Sequence, residues 1–215
     1  MTLIFVADRD NHMYQSHPNC IQPDNEYIYV WRYLDLKKFL SFVQTRSLFF
    51  CALNNFEDNF EGSIPRNNIL RRTDLLKNIP KNKHEFYLNG LMKFKELHKM
   101  FREMIYVNCW HSNQNESIAM WKIYSRNDEG VAIRSTYKQL KESIEDEKRI
   151  FMGIVKYIDY DKDIIDDSNA LSSVFHKRLE YSFENEVRLV TDGLNERTFQ
   201  KSIENKALGV ATWIN

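Results

Sequence analysis

Short apolar runs recur along this chain at residues 27–33, 47–51, 105–111, 131–135, 150–160 and 183–191, and the long interval 67–104 carries its apolar residues at helical spacing. Runs of that length, rich in Val, Ile, Tyr, Phe and Trp, read as strands. In the interval, Leu70, Leu76 and Ile79 mark one helix that ends before Pro80, and Tyr87, Leu91, Phe94 and Phe101 mark a longer one. Strands in sequence with helices grouped between two of them give an α+β class. The expected architecture is a single domain with a mixed, largely antiparallel sheet and a helical hairpin insertion at 67–103. Residues 1–26 read as an irregular N-terminal segment, a short strand or tail followed by loop, and 27–215 as the domain. Residues 209–215 read as one more strand, stopping at its apolar middle, which implies a truncated C-terminus and an unpaired sheet edge.

Three shorter helices and a turn complete the expectation. Asp35 caps a helix carrying Leu36, Phe39, Leu40 and Val43; Asn115 caps one carrying Ile118, Trp121 and Tyr124; residues 137–144 form a third; 174–178 form a helical turn.

Charge narrows the partner classes. Lys plus Arg and Asp plus Glu each number 30 in 215 residues, so the net charge is zero. That excludes a uniformly basic nucleic-acid binder and leaves nucleic acid otherwise open. The neutrality is a sum of unlike segments: residues 66–102 hold ten Lys/Arg against three Asp/Glu, and residues 140–186 hold seven against twelve. A solvated face explains each, and so does a basic lid over an anionic ligand. Six glycines make neither a P-loop nor a dinucleotide-binding fingerprint. Three widely spaced cysteines make no disulfide framework or zinc site, so a reducing cytoplasm is the expected setting. No apolar run is long enough to cross a membrane, and no membrane partner is expected.

Five constellations carry chemistry. Asp58 and Glu61 sit in the polar stretch after the second strand, where they orient a hydroxyl or a divalent cation, or close a turn. His111 ends the third strand on the same face as Cys109 and reads as a pocket-lining residue; no metal ligand set has the required spacing. Trp121 and Tyr124 lie one helical turn apart, as core or as a ligand platform, and the helix start beside Glu116 offers N–H groups to an anion. On a strand, Glu184, Glu186 and Arg188 share one side, so the two carboxylates need a cation or a substrate donor between them; Arg188 is one such cation. Arg32, between Trp31 and Tyr33, binds an anion or pairs with Glu61 or Glu186.

Together these stretches resemble a bacterial family of unknown function, the domain-of-unknown-function family numbered twenty-nine seventy-one. The resemblance runs from about Tyr29 to Val190. It rests on Trp31-Arg-Tyr33, Ser47-Leu-Phe-Phe50, Asp58-Asn-Phe-Glu-Gly62, Asn108-Cys-Trp-His111, Glu116-Ser-Ile-Ala-Met-Trp121, Gly130-Val-Ala-Ile133, His176-Lys-Arg178 and Glu184-Asn-Glu-Val-Arg188. Asn59 stands where the family usually has Pro. The family implies no reaction. A fold-level analogy to ADP-ribosyltransferases supplies one: Arg32, then Trp121 or Tyr124, then Glu184-x-Glu186 follow the order of an NAD-binding cation, nicotinamide-facing aromatics and a late E-x-E. In that reading NAD is the nucleotide used, Glu186 stabilises the sugar cation, Glu184 orients the acceptor, and Tyr33, Asp58, Glu61, His111 and Arg188 line the ligand. Phage defence or a toxin role would suit such an enzyme. A non-catalytic nucleotide- or protein-binding module and a Mg²⁺-dependent nuclease using Asp58, Glu61, Glu184 and Glu186 are the alternatives.

Overall fold

The computed structural model describes residues 2–4, 17–124, 129–144, 149–193 and 212–214. Ten strands appear among them: β1 Thr2–Ile4, β2 Tyr29–Asp35, β3 Leu48–Ala52, β4 Ile105–Ser112, β5 Gly130–Thr136, β6 Ile150–Ile154, β7 Lys156–Ile158, β8 His176–Arg178, β9 Glu186–Asp192 and β10 Thr212–Ile214. The α-helices are α1 Leu36–Thr45, α2 Arg66–Asp74, α3 His84–Met104, α4 Ile118–Tyr124, α5 Tyr137–Glu142 and α6 Ala170–Val174. Helix and strand mix around a largely antiparallel sheet, as the runs predict.

The main sheet is ordered β1-β5-β2-β4-β3-β10, with β9 pairing both β4 and β6. Strand β4 is the centre. One edge runs along β9 from Ile105 to His111. The other edge meets two strands at opposite ends: β3 at Tyr106 and Val107, and β2 at His111 and Ser112. Between those ends β2 and β3 splay from β4, and side chains fill the gap. The Arg32 guanidinium donates to the Cys109 carbonyl, and the Asn108 amide donates to the Phe49 carbonyl at 2.7 Å.

Alternation divides the sheet into two faces. Val30, Leu34, Phe50, Trp110, Ile133, Met152 and Leu189 bury one face, against Phe39 and Phe42 of α1 and Leu140 of α5. The capped ends predicted for these helices form: Asp35 Oδ1 accepts from Lys38 N at 2.8 Å, and Thr136 with Gln139 makes a capping box. The opposite face holds two apolar clusters. One gathers Ile105, Val107, Val190, Phe101, Val174 and Phe175 beneath α3 and α6; the other gathers Trp31, Tyr33, Ala132, Met120 and Trp121 beneath α4. Cys109, His111, Glu186 and Arg188 point to this face, between the two clusters.

Several elements differ from the sequence expectation. Residues 150–160 make two strands rather than one. Val155 turns its N–H to the Glu186 carbonyl at 2.9 Å, and β7 leaves the main sheet to pair in parallel with β8. The predicted turn at 174–178 is the end of α6 followed by strand β8. Residues 179–184 form a 3₁₀ helix, not a strand, and β9 begins only at Glu186, after Asn185 at φ 45°. The first insertion helix stops at Asp74 and passes through a 3₁₀ turn before Pro80. The helix expected to start at Asn115 is capped instead by Ser117, whose Oγ accepts from Met120 N at 3.4 Å. Of the short strand or tail expected at the start of the chain, the strand forms: residues 2–4 pair in parallel with β5. Residues 212–214 of the last predicted strand pair with β3, while 209–211 lie outside the described residues.

Gly62 is the one described glycine with positive φ, at 64°, and it closes the turn in which Glu61 N–H bonds the Asp58 carbonyl at 3.0 Å. A Cβ there would stand 2.4 Å from Leu53 Cδ2, a side chain that is fully buried. Gly62→Ala is therefore expected to cost about 1–3 kcal/mol, from left-handed strain plus the clash. The urea midpoint measures it; a midpoint within error of wild type would show that the turn relaxes freely.

Candidate functional site

Five charged side chains meet on the second sheet face. Arg188, fully buried on β9, donates from Nε to Glu186 Oε2 at 2.6 Å, from Nη1 to the Val174 carbonyl at 2.6 Å, and from Nη2 to Glu61 Oε1 at 3.0 Å. Lys177, buried on β8, reaches Glu61 at 3.0 Å and Glu186 at 2.7 Å and also contacts Glu184. Each partner arrives by a different route. The turn closed by Gly62 delivers Glu61, the short parallel pair β7–β8 delivers Lys177, and left-handed Asn185 swings Glu184 back beside Glu186. The Tyr157 hydroxyl accepts the Glu186 N–H at 2.8 Å and fixes the start of β9.

The electrostatics separate the two carboxylates of the E-x-E. Three carboxylates, Glu61, Glu184 and Glu186, face two cations, so the cluster carries one negative charge in excess when all are ionised. Burial, together with the hydrogen bond and charge of Glu186, pushes Glu184 up to about 8. Burial also works against ionised Glu186, but Arg188 and Lys177 outweigh it and hold that carboxylate well below the usual range. Burial likewise opposes the charge of Lys177, and Glu186 and Glu61 overcome it, so the ammonium is retained. Two carboxyls pushed apart in this way are the mark of an acid/base pair. Only Glu184 of the three has appreciable side-chain exposure, 14 % against 6 % for Glu186 and 0 % for Glu61.

Beside the cluster stand Arg32, His111, Tyr33, Trp121 and Tyr124. His111 is buried, and its Nδ1 donates to the Glu184 carbonyl at 2.6 Å, which leaves Nε2 as a buried acceptor without a hydrogen-bond partner. Its ring lies 6.2 Å from that of Tyr33, and Trp121 stands edge-on to Tyr33 at 5.0 Å. Burial lowers the basicity of Arg32, which feels the charges of Tyr124 and Glu186 yet has no carboxylate within 4 Å among the described residues. Tyr124 is half-exposed, and burial of its hydroxyl, with Cys109, Glu184 and Glu186 nearby, raises its pKa.

The sequence-picked residues thus converge, with three changes of role. Arg32 pairs with neither Glu61 nor Glu186; it bonds the Cys109 carbonyl and fills the gap in the sheet. Asp58 turns away from the cluster to Arg178, at 3.1 Å, and its Oδ1 accepts from Phe60 N at 3.0 Å, the turn-closing role. The start of α4 is not open to an anion: the Ser117 N–H is taken by the Tyr33 hydroxyl at 2.8 Å, and Glu116 accepts from the Trp121 indole at 3.0 Å. Burial, then Glu186, raises the Cys109 thiol well above its usual range, so it packs as an inert group. No group of three His, Cys, Asp or Glu among the described residues is arranged to hold a metal ion. Lys177 is the residue that sequence reasoning passed over. Its signal was the His176-Lys-Arg178 stretch, which alternates with the strand period once it is read as β8.

Residues 120–189 match the family described as Protein of unknown function (DUF2971). The matched stretch spans Trp121, Tyr124, Lys177, Glu184, Glu186 and Arg188, and Arg32, Asp58, Glu61 and His111 lie before it. No curated protein and no solved structure matches the chain. No helix among the described residues is long and apolar enough to cross a membrane.

Proposed function

We propose that the cluster is the catalytic centre of an ADP-ribosyltransferase-like enzyme that cleaves the bond between ribose and nicotinamide in NAD. The feature that carries this reading is the split E-x-E: Glu186, gripped by Lys177 and Arg188 and held well below the usual carboxylate range, beside Glu184, which burial and Glu186 push up to about 8. Glycosyl transfer needs one fixed negative charge to stabilise an oxocarbenium-like sugar and one group to handle the acceptor proton. In this scheme the C1–N bond breaks and its electron pair leaves with neutral nicotinamide. The positive charge left on the ribose faces the excess negative charge of the cluster. The acceptor hydroxyl attacks C1 and gives its proton to the Glu184 carboxylate. Arg32, without a carboxylate partner among the described residues, suits a phosphate, and Tyr33, Trp121 and the nearby Tyr124 supply ring faces.

The test is release of nicotinamide from NAD by the wild-type protein, followed across pH with water and with protein acceptors. Turnover should rise as pH passes through about 8, because Glu184 acts in its ionised form. No release with any acceptor overturns the reading.

A non-catalytic nucleotide-binding module is the second reading. It is favoured by one observation: both Glu186 oxygens are already engaged, by Lys177 at 2.7 Å and Arg188 at 2.6 Å. It is the outcome if NAD binds and no nicotinamide appears. The nuclease alternative draws less support, since Asp58, Glu61 and Glu186 each face an arginine or lysine rather than one another.

A further inference from the structure

Helix α3 has 21 residues and buries none of them fully. Phe101 packs onto the sheet, but part of the inner side of the helix does not close onto the protein. Between Phe94, Leu97, His98, Met100, Phe101 and Met104 of the helix and residues 165–173 lies a cavity of about 370 Å³. That volume falls in the range of small-molecule sites, which start at about 300 Å³. We infer that this cavity is a second binding site, separate from the charged cluster, for a small neutral apolar molecule with one hydrogen-bonding end.

Size and polarity both select that class. A volume of about 370 Å³ suits a small molecule rather than a folded segment. The walls are mostly apolar: Phe94, Leu97, Met100, Phe101, Met104 and Ile165. The one ionised side chain in the lining is paired. Asp167 is neutralised by Arg72 at 2.8 Å, and the same guanidinium caps the Phe94 ring at 3.6 Å. His98 Nε2 lies 3.4 Å from Ser173 Oγ, which donates to the Ala170 carbonyl at 2.9 Å. Burial and the nearby Arg102 and Arg72 lower the basicity of His98 and keep its ring neutral. The lining thus offers a charged ligand no free charge of its own, while a hydroxyl or amine N–H finds His98 and Ser173. At the mouth Leu97 and Met100 are 64 % and 49 % exposed, apolar area that a bound molecule would cover.

The probe is N-phenyl-1-naphthylamine, a neutral apolar fluorophore with one N–H. The full chain should show a single saturable enhancement in the micromolar range, displaced by 1-decanol. Met100→Trp places a ring across the mouth at an exposed position where folding is not at stake, and should weaken binding at least tenfold. Ala170→Trp, checked for a native circular-dichroism spectrum, should do the same from inside. Non-saturable enhancement, or equal binding by wild type and a folded Met100→Trp protein, overturns the inference. Neither result depends on whether NAD is turned over.

Discussion

Arg188→Met should remove about 3–5 kcal/mol of folding stability, enough to leave an ordinary domain largely unfolded at 37 °C. The side chain is fully buried and makes three hydrogen bonds, to Glu186, Glu61 and the Val174 carbonyl. Methionine keeps most of the volume and loses every donor. Lys177 is then the sole cation facing three carboxylates. Buried charge without a partner is what makes the loss large; the pair itself, set against an apolar substitute, would be worth much less. Equilibrium unfolding in urea measures the effect. Adding Glu61→Gln to Arg188→Met should restore part of the loss, because it withdraws one of the stranded charges, and the two changes should be non-additive. A loss below about 1 kcal/mol would show that water or Lys177 satisfies the site without Arg188.

Glu184→Gln should lower NAD turnover by about 10²–10⁴-fold, the usual contribution of a positioned acid/base group. The fold should be spared, because the amide imitates the protonated carboxyl that the folded state favours. The linkage gives a second readout. Glu184 binds its proton more tightly in the folded chain, near 8 against the usual 4.5, so the stability it contributes is fully present below about pH 4.5. That stability is lost as pH rises toward 8. Wild type should therefore lose stability relative to Glu184→Gln between pH 5 and 8, with thermal unfolding at several pH values as the measurement. Glu186 acts in the opposite sense: its lowered pKa contributes stability above the usual carboxylate range that is lost as pH falls below it. Turnover retained in a folded Glu184→Gln protein would remove Glu184 from the chemistry.

The apolar runs located every strand of the main sheet except β1 clearly, and the residues gathered at the site were almost all legible as E-x-E, Arg32, Glu61 and His111, while Asp58 beside them turned to Arg178. Two things were hidden. One was the break at Val155, where an unbroken apolar run changes sheets because its N–H is claimed by Glu186; periodicity alone cannot see a partner 31 positions away in sequence. The other was pairing. Arg32 and Arg188 were the two cations the sequence offered for the acidic pair, and Lys177 was not among them. Which two serve it is decided by strand register and by Asn185 taking a left-handed conformation, and neither leaves a trace in spacing. Glu184 reached the site although its predicted strand is a 3₁₀ turn, so the right residue was found through the wrong element.

Glu61 and its counter-ion Arg188 are 127 positions apart. At about 5–20 residues per second, ribosomal synthesis leaves roughly 6–25 s between the two. Through that interval the turn at Gly62 cannot be desolvated, and β4 has no β9 along its long edge. The nascent chain therefore has no stopping point at its first half. Strand β2 can close onto β5, but β4 and β3 have their β9 and β10 partners only in the last quarter of the sequence. The cluster that would do the chemistry is also the clasp that joins the early half of the chain to the late one.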